Sequence, residues 1–284
     1  MTISASQVME LRSATGAGLM DCKKALAESN GDLEAAKDYL RKKGISIAAK
    51  KSDRETNEGA VGVRISDDGK TAAMVQLACE TDFVARNDEF STLLEKLGGQ
   101  VLAKGDADLA AQDSVDGEGT VGDVITAAIG KLGENMQLVA AKKLSLDGEG
   151  ALGGYVHSNK KIGVVVAIQS GGAVDGEAVQ GLARDIAMHV AASDVKAISE
   201  DEIDPAVLDK EREIFSAQAA ESGKPPEIVE KMVQGRIGKY VKEITLLNQP
   251  FVKNPDQTIA QLLTEKGKEL GVELKVTTFA KQAF

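Results

Sequence analysis

The 284-residue sequence predicts an α+β protein built from a small helical domain, a core of two related subdomains with antiparallel sheets, and an inserted antiparallel helical hairpin. Three observations predict it. Apolar residues recur at helical spacing through the first 54 residues, a strand–turn–strand–helix pattern occurs twice in the middle, and beyond it the periodicity becomes wholly helical.

The first segment, residues 1–54, reads as three short helices. Val8 and Leu11 stripe the first, Leu19, Met20, Ala25 and Leu26 the second, and Leu33, Ala36, Tyr39 and Leu40 the third. Thr15-Gly16-Ala17-Gly18 and Asn30-Gly31-Asp32 break them, with Asp32 placed to cap the third. So small a bundle leaves an apolar groove that suits a partner helix. Ala48–Asp53 reads as a polar hinge.

The first subdomain is expected over residues 55–140 and the second over 141–198 with 240–273. Glu58-Gly59-Ala60-Val61-Gly62 recurs as Glu149-Gly150-Ala151-Leu152-Gly153. Each copy continues through a polar turn to an apolar strand, Ala73–Leu77 and Val164–Ile168. Amphipathic helices follow, striped by Phe90, Leu93, Leu97 and Val101 in one copy and Val179, Leu182, Ile186 and Val190 in the other. The Asp- and Gly-rich stretch from Gly105 to Gly119 reads as a surface loop.

Residues 199–239 carry the hairpin. Asp204-Pro205 supplies a cap and an N1 proline, and Glu221–Pro226 supplies the break before a second stripe. The two stripes either pack on each other or present a face for self-association. Leu246–Val252 reads as a strand and turn returning to the second sheet. Residues 274–284 are set apart as a short C-terminal tail, although Glu273–Phe279 has the pattern of one more strand.

Composition narrows the function. Asp plus Glu number 44 against 34 Lys plus Arg, a formal charge of −10, which repels phosphate backbones and argues against nucleic acid as main partner. No apolar run approaches the ~18 residues of a membrane span, and MTISASQVMELR lacks a signal-peptide pattern. With two cysteines in no CxxC arrangement, a cytoplasmic protein with free thiols is expected. Catalytic signatures are missing: no GxxxxGK[ST], GxSxG or HExxH occurs. Gly16-Ala17-Gly18 fails as a dinucleotide fingerprint because Asp21 replaces the third glycine and a helix precedes it. A Cys79–His189 nucleophilic pair is the one enzyme hypothesis, weakened by the apolar strand that ends in Cys79. Two histidines and two cysteines make no zinc site by spacing, and no cofactor is expected.

One junction stands out, Cys79-Glu80-Thr81-Asp82-Phe83-Val84-Ala85-Arg86, between an apolar strand and a helix. Phe83 is either a staple packed on the helix cap or an aromatic aimed outwards. The second copy has only Gly171-Gly172-Ala173-Val174 at the equivalent place.

Taken together these segments resemble the bacterial elongation factor Ts family. The likeness is carried by Thr15–Leu26, by Thr81-Asp82-Phe83-Val84-Ala85, by Ile186–Ala192, by Ser222–Pro225 and by Gln249-Pro250-Phe251-Val252, in order along nearly the whole chain. It implies an N-terminal domain of ubiquitin-associated type, a dimerisation role for the hairpin, and guanine nucleotide exchange on elongation factor Tu. By this likeness Thr81, Asp82, Phe83 and Val84 dislodge magnesium from the partner, with Phe83 as the wedge. Leu19, Met20, Lys23, Lys51 and His157 become partner-binding positions, and two copies joined through the hairpin give a two-plus-two complex. No chemical active site is implied. The sequence departs from the likeness at Pro226, where a charged residue is expected, and in stopping at Phe284, so tail contacts of longer relatives are not carried over.

Overall fold

The computed structural model describes residues 3–116, 119–221 and 225–284. Three helices open it: α1 (Ala5–Thr15), α2 (Leu19–Glu28) and α3 (Leu33–Ala49). Ser4 and Gln7 form a reciprocal capping box on α1, and Asp32 accepts from Ala35 N at 2.9 Å to cap α3. Val8, Leu11, Cys22, Ala25, Leu26 and Ala36 form their small core.

The first unit follows as β1 (Glu58–Ile65), β2 (Thr71–Cys79), a single-turn helix α4 (Asp82–Ala85), α5 (Asp88–Lys104), α6 (Val121–Leu132) and β3 (Met136–Ser145). Its antiparallel sheet has the order β1-β2-β3. The second unit begins with β4 (Gly150–Val156), β5 (Ile162–Ser170) and α7 (Gly176–Ala192). The hairpin helices α8 (Pro205–Ala220) and α9 (Pro226–Ile244) intervene, then a small ribbon of β6 (Pro250–Phe251) and β7 (Asn254–Thr258). The unit closes with α10 (Ile259–Leu270) and β8 (Leu274–Ala283), giving the order β4-β5-β8.

The repeat is therefore longer than its sequence signature. The units share two strands, a long helix, a 12-residue helix and a third strand, to which the first adds the single-turn α4. Helices α6 and α10 each have 12 residues, a Thr capping box (Thr120, Thr258) and a left-handed glycine cap (Gly133, Gly271). Even the bulges correspond, between Gln76 and Leu77 in β2 and between Ala167 and Ile168 in β5.

The shared glycines explain the signature. Gly59 and Gly150 have φ of 151° and 126°, which disfavours side chains, and a Cβ on either would lie 2.8 Å from the Cα opposite, Ala78 or Gln169. Gly62 and Gly153 let a helix lie directly on the sheet. A Cβ at the first would meet Leu94 Cγ at 2.8 Å, and at the second the Ala183 carbonyl carbon at 2.6 Å.

Three boundaries differ from the sequence expectation. Strand β3 runs across the division at 140 and pairs with β2 as far as Ser145, so the first unit extends to that residue. Residues 274–284 are no tail, because β8 pairs with β5 from Leu274 to Ala283 and buries Leu274, Val276 and Ala280. Residues 246–252 do not return to the second sheet. Pro250 has no N–H for a ladder, so the segment forms a 3-10 turn and pairs only with β7, while Leu246 and Phe251 reach the core.

The two sheets pack against each other. Ala72, Met74 and Leu144 from one meet Leu152, Val165, Ala167 and Ala280 from the other in a shared apolar cluster. Val61 N donates to Lys160 O and Leu152 N to Gly69 O, both at 2.8 Å, and Lys70 Nζ reaches Gly148 O and Gly150 O at 2.7 Å.

In the hairpin, Phe215 meets Tyr240 edge-on at 6.4 Å, and Leu208, Ile237 and Tyr240 pack at its root. Val207, Ile214 and Ile228 stay exposed, so the stripes pack on each other only in part. The turn motif at Ser222–Pro225 lies, except for Pro225, outside the described residues. Among the described residues no helix is long and apolar enough to cross a membrane.

Candidate functional site: the strand–helix elbow of the first unit

Strand β2 ends in Cys79, fully buried with its thiol against Thr81 O at 3.2 Å. Thr81 is extended and caps α4 through Oγ1, which accepts from Val84 N at 3.4 Å. One turn later Asn87 caps α5 in the same way, through Glu89 N at 2.8 Å. Two caps in quick succession force a sharp elbow, and the short helix between them turns its middle residue outwards.

That residue is Phe83, 83% exposed. The staple alternative fails, since Ala85 is buried and Val84 half-buried against the core while Phe83 stands clear of it. Asp82 pairs with Arg86 at 3.0 Å on the surface, a contact worth little to stability.

The elbow is held from below by the turn between α6 and β3. Glu134 accepts twice from Thr81, from Oγ1 at 2.6 Å and from the backbone N at 3.0 Å. Its neighbour Asn135 donates its backbone N–H to Glu80 at 2.6 Å and its amide to Arg54 O at 2.9 Å and Ser52 O at 3.3 Å. The Asn135 N–H, helped by Arg54, holds the Glu80 carboxyl below the usual carboxylate range. The polar hinge after α3 is thus pinned to the elbow. Lys51 Nζ also bonds to Gly133 O of this turn, so its ammonium is engaged within the chain.

The other expected positions lie elsewhere. Leu19 and Met20 are 48% and 72% exposed at the start of α2, beside an exposed Lys23. Lys131 of α6 lies against the loop at Gly16 and pairs with Glu89 at 2.6 Å, linking the helical domain to the elbow region. A cavity of 380 Å³ runs along the same seam, lined by Asp21, Leu40, Lys43, Ile47, Thr126 and Lys131 among others. His157 is exposed on the β4–β5 turn, its Nδ1 2.8 Å from Asn159 Oδ1.

Cys79 and His189 are not brought together; they belong to the separate cores of the two units. Burial and the nearby Glu134 charge push the Cys79 thiol up to about 11, which removes its thiolate at neutral pH. Both cysteines are buried, so the native protein is expected to resist a thiol reagent at pH 8 and to titrate fully only in denaturant. Rapid native labelling would contradict this. Among the described residues, no group of three His, Cys, Asp or Glu side chains could hold a metal ion.

His189 has a structural role. Its Nδ1 accepts from Val252 N at 3.2 Å, which leaves Nε2–H to donate to Gln249 Oε1 at 2.8 Å. Burial holds its pKa below the ordinary 6.5. Protonation therefore favours the unfolded chain, where the pKa is higher. The stabilisation is complete above about pH 6.5 and is lost as pH falls through the folded value. The urea midpoint should drop between pH 7 and 5 more steeply in the wild type than in His189→Gln. Equal slopes would refute the assignment.

Glu134 and Asn135 were not among the positions expected from sequence. Extending the repeat would have found them, because Gly133-Glu134-Asn135 aligns with Gly271-Val272-Glu273 and differs where the first copy carries Thr81.

Known proteins resemble the chain over most of its length. A family model described as "Elongation factor TS" matches residues 80–283, beginning at the elbow. The chain is 48% identical to elongation factor Ts of Thioalkalivibrio sulfidiphilus, with 99% of this chain and 97% of the relative covered. It is 45% identical to that of Hydrogenovibrio crunogenus (99% and 97%) and 47% to that of Caulobacter sp. strain K31 (99% and 91%).

Proposed function

The chain belongs to the elongation factor Ts family, and from that premise we propose that it is a guanine nucleotide exchange factor for elongation factor Tu in translation elongation. It acts by binding and has no chemical active site of its own. The observation that carries the reading is Phe83, a large aromatic left 83% exposed on a doubly capped elbow.

A GTPase holds its nucleotide through a phosphate-cradling loop and a magnesium ion that neutralises phosphate charge. A protein that binds the nucleotide-free, magnesium-free form better must, by linkage, weaken nucleotide affinity by the same factor. In this reading the segment Thr81–Val84 enters beside the nucleotide pocket, Phe83 is the wedge, and magnesium is displaced. The exposed Leu19, Met20 and Lys23 grip one partner domain, His157 touches another, and Lys51 serves chiefly to brace the hinge. The exposed Val207, Ile214 and Ile228 support a homodimer through the hairpin and a two-plus-two complex.

The test is release of a fluorescent GDP from elongation factor Tu with catalytic amounts of this protein. Acceleration by orders of magnitude is expected; unchanged release from a matched partner would sink the reading.

A further inference from the structure

The molecule contains its own control for what the wedge needs. The two units agree in bulge position, capping boxes and glycine caps, but only the first has a single-turn helix, α4, between its second strand and its long helix, and there the units differ at two places that touch. In the first unit Thr81 faces Glu134 across the elbow, with two hydrogen bonds of 2.6 and 3.0 Å. In the second, Gly172 faces Val272, whose Cγ1 would lie 3.8 Å from a Cβ built on that glycine. At the neighbouring position each unit has a tie of its own kind: the Glu80 carboxylate accepts from Asn135 N in one, and the backbone N–H of Gly171 donates to Glu273 O in the other. The second unit thus joins strand to helix without α4 and without a carboxylate facing the junction. Glu134 occurs only where an aromatic is held outwards.

We propose that Glu134 is the positioning residue of the exchange segment. It fixes the rotation of Thr81, and with it the direction in which α4 presents Phe83, without touching the partner itself. The carboxylate suits the task because it is acceptor-only and takes both donors of Thr81 at once, which sets the residue's backbone and side chain together. Free of that clamp, Thr81 keeps its capping bond to Val84 N, so α4 stays folded but is free to swivel on one anchor. Phe83 then enters the partner in many orientations, few of them productive. Pre-organisation of this kind acts on the rate of the bound complex more than on binding.

The proposal rests on the exchange reading of Phe83. Its test is fluorescent GDP release from elongation factor Tu across a concentration series of the full chain, which separates maximal rate from half-saturating concentration. Glu134→Gln keeps the size but offers a donor where an acceptor stood. The expected result is a maximal rate about tenfold lower, with half-saturation within about twofold of wild type. Thr81→Val, which removes the α4 cap as well as the hydroxyl half of the clamp, should lower it at least as far; Thr81→Ser, which keeps both bonds, should keep near-normal exchange; and the loss in the Glu134→Gln, Thr81→Val double variant should be less than the product of the single losses. Thermal melting of each variant accompanies the series. An unaltered maximal rate in Glu134→Gln beside an active wild type would overturn the proposal alone. A loss of rate that merely tracks a loss of folded protein, or additive losses in the double variant, would also overturn it. An inactive wild type would remove the exchange reading and this proposal with it.

Discussion

Replacing Phe83 with alanine is expected to lower the maximal rate of GDP release from elongation factor Tu by about ten- to a hundredfold while the protein's own melting temperature stays within about 2 °C. The two halves of this expectation have separate origins. Fully burying a phenylalanine side chain gains roughly 1.5–3 kcal/mol, and each ~1.4 kcal/mol is a factor of ten in rate if the gain is realised only as nucleotide leaves. In the free protein the ring is 83% exposed and holds nothing together, so its loss leaves the fold alone. Exchange kinetics across a concentration series, with calorimetry on the same samples, check both. Equal losses of rate and affinity would make Phe83 a general contact instead of a wedge.

The largest effect on stability is expected from a single methyl group. Gly153 lies where β4 passes beneath α7, and a Cβ there would stand 2.6 Å from the Ala183 carbonyl carbon. Backbone cannot rotate away as a side chain can, so Gly153→Ala must push helix from sheet across the second core. A cost of about 3 kcal/mol is expected, at the upper end of overpacking effects, read as a lower urea midpoint. The same methyl at Gly181, on α7 with nothing within 4 Å, should raise the midpoint through helix propensity by up to ~1 kcal/mol. Opposite signs from identical chemistry would establish that contact, not glycine content, decides. A Gly153→Ala protein as stable as wild type would refute the argument.

Much of this was legible in the sequence because it is local. The capped helices at Asp32 and Asp204 follow from residues a few places apart, and the repeated Glu-Gly-Ala signature marks the two hairpins. The elbow was legible as an anomaly, an aromatic and a carboxylate where the second copy has Gly171-Gly172-Ala173-Val174. What holds it is not legible locally, since Glu134 lies 53 residues beyond Thr81 and only the extended repeat marks the pairing. The same distance problem hides the third strand of the first sheet. β3 alternates exposed Gln137 and Val139 with half-buried neighbours, a pattern with no strong apolar run, and its partner β2 is separated by α5 and α6. Phe251 misled for a related reason. One anchored aromatic beside a proline looks like a strand of the main sheet, though Pro250 denies it the ladder.

The two units also differ in the length of one connection. In the first, residues 105–120 join α5 to α6; in the second, residues 193–258 join α7 to α10 and carry the whole helical hairpin. The closing element is the same in both, so the longer excursion costs only about two doublings of loop length, roughly 1 kcal/mol of closure entropy. The α5–α6 connection is thus an unused graft point. A fluorescent reporter domain spliced there would ride on the exchange factor at the position its twin already uses for the hairpin, on a connection separate from the Thr81–Glu134 clamp.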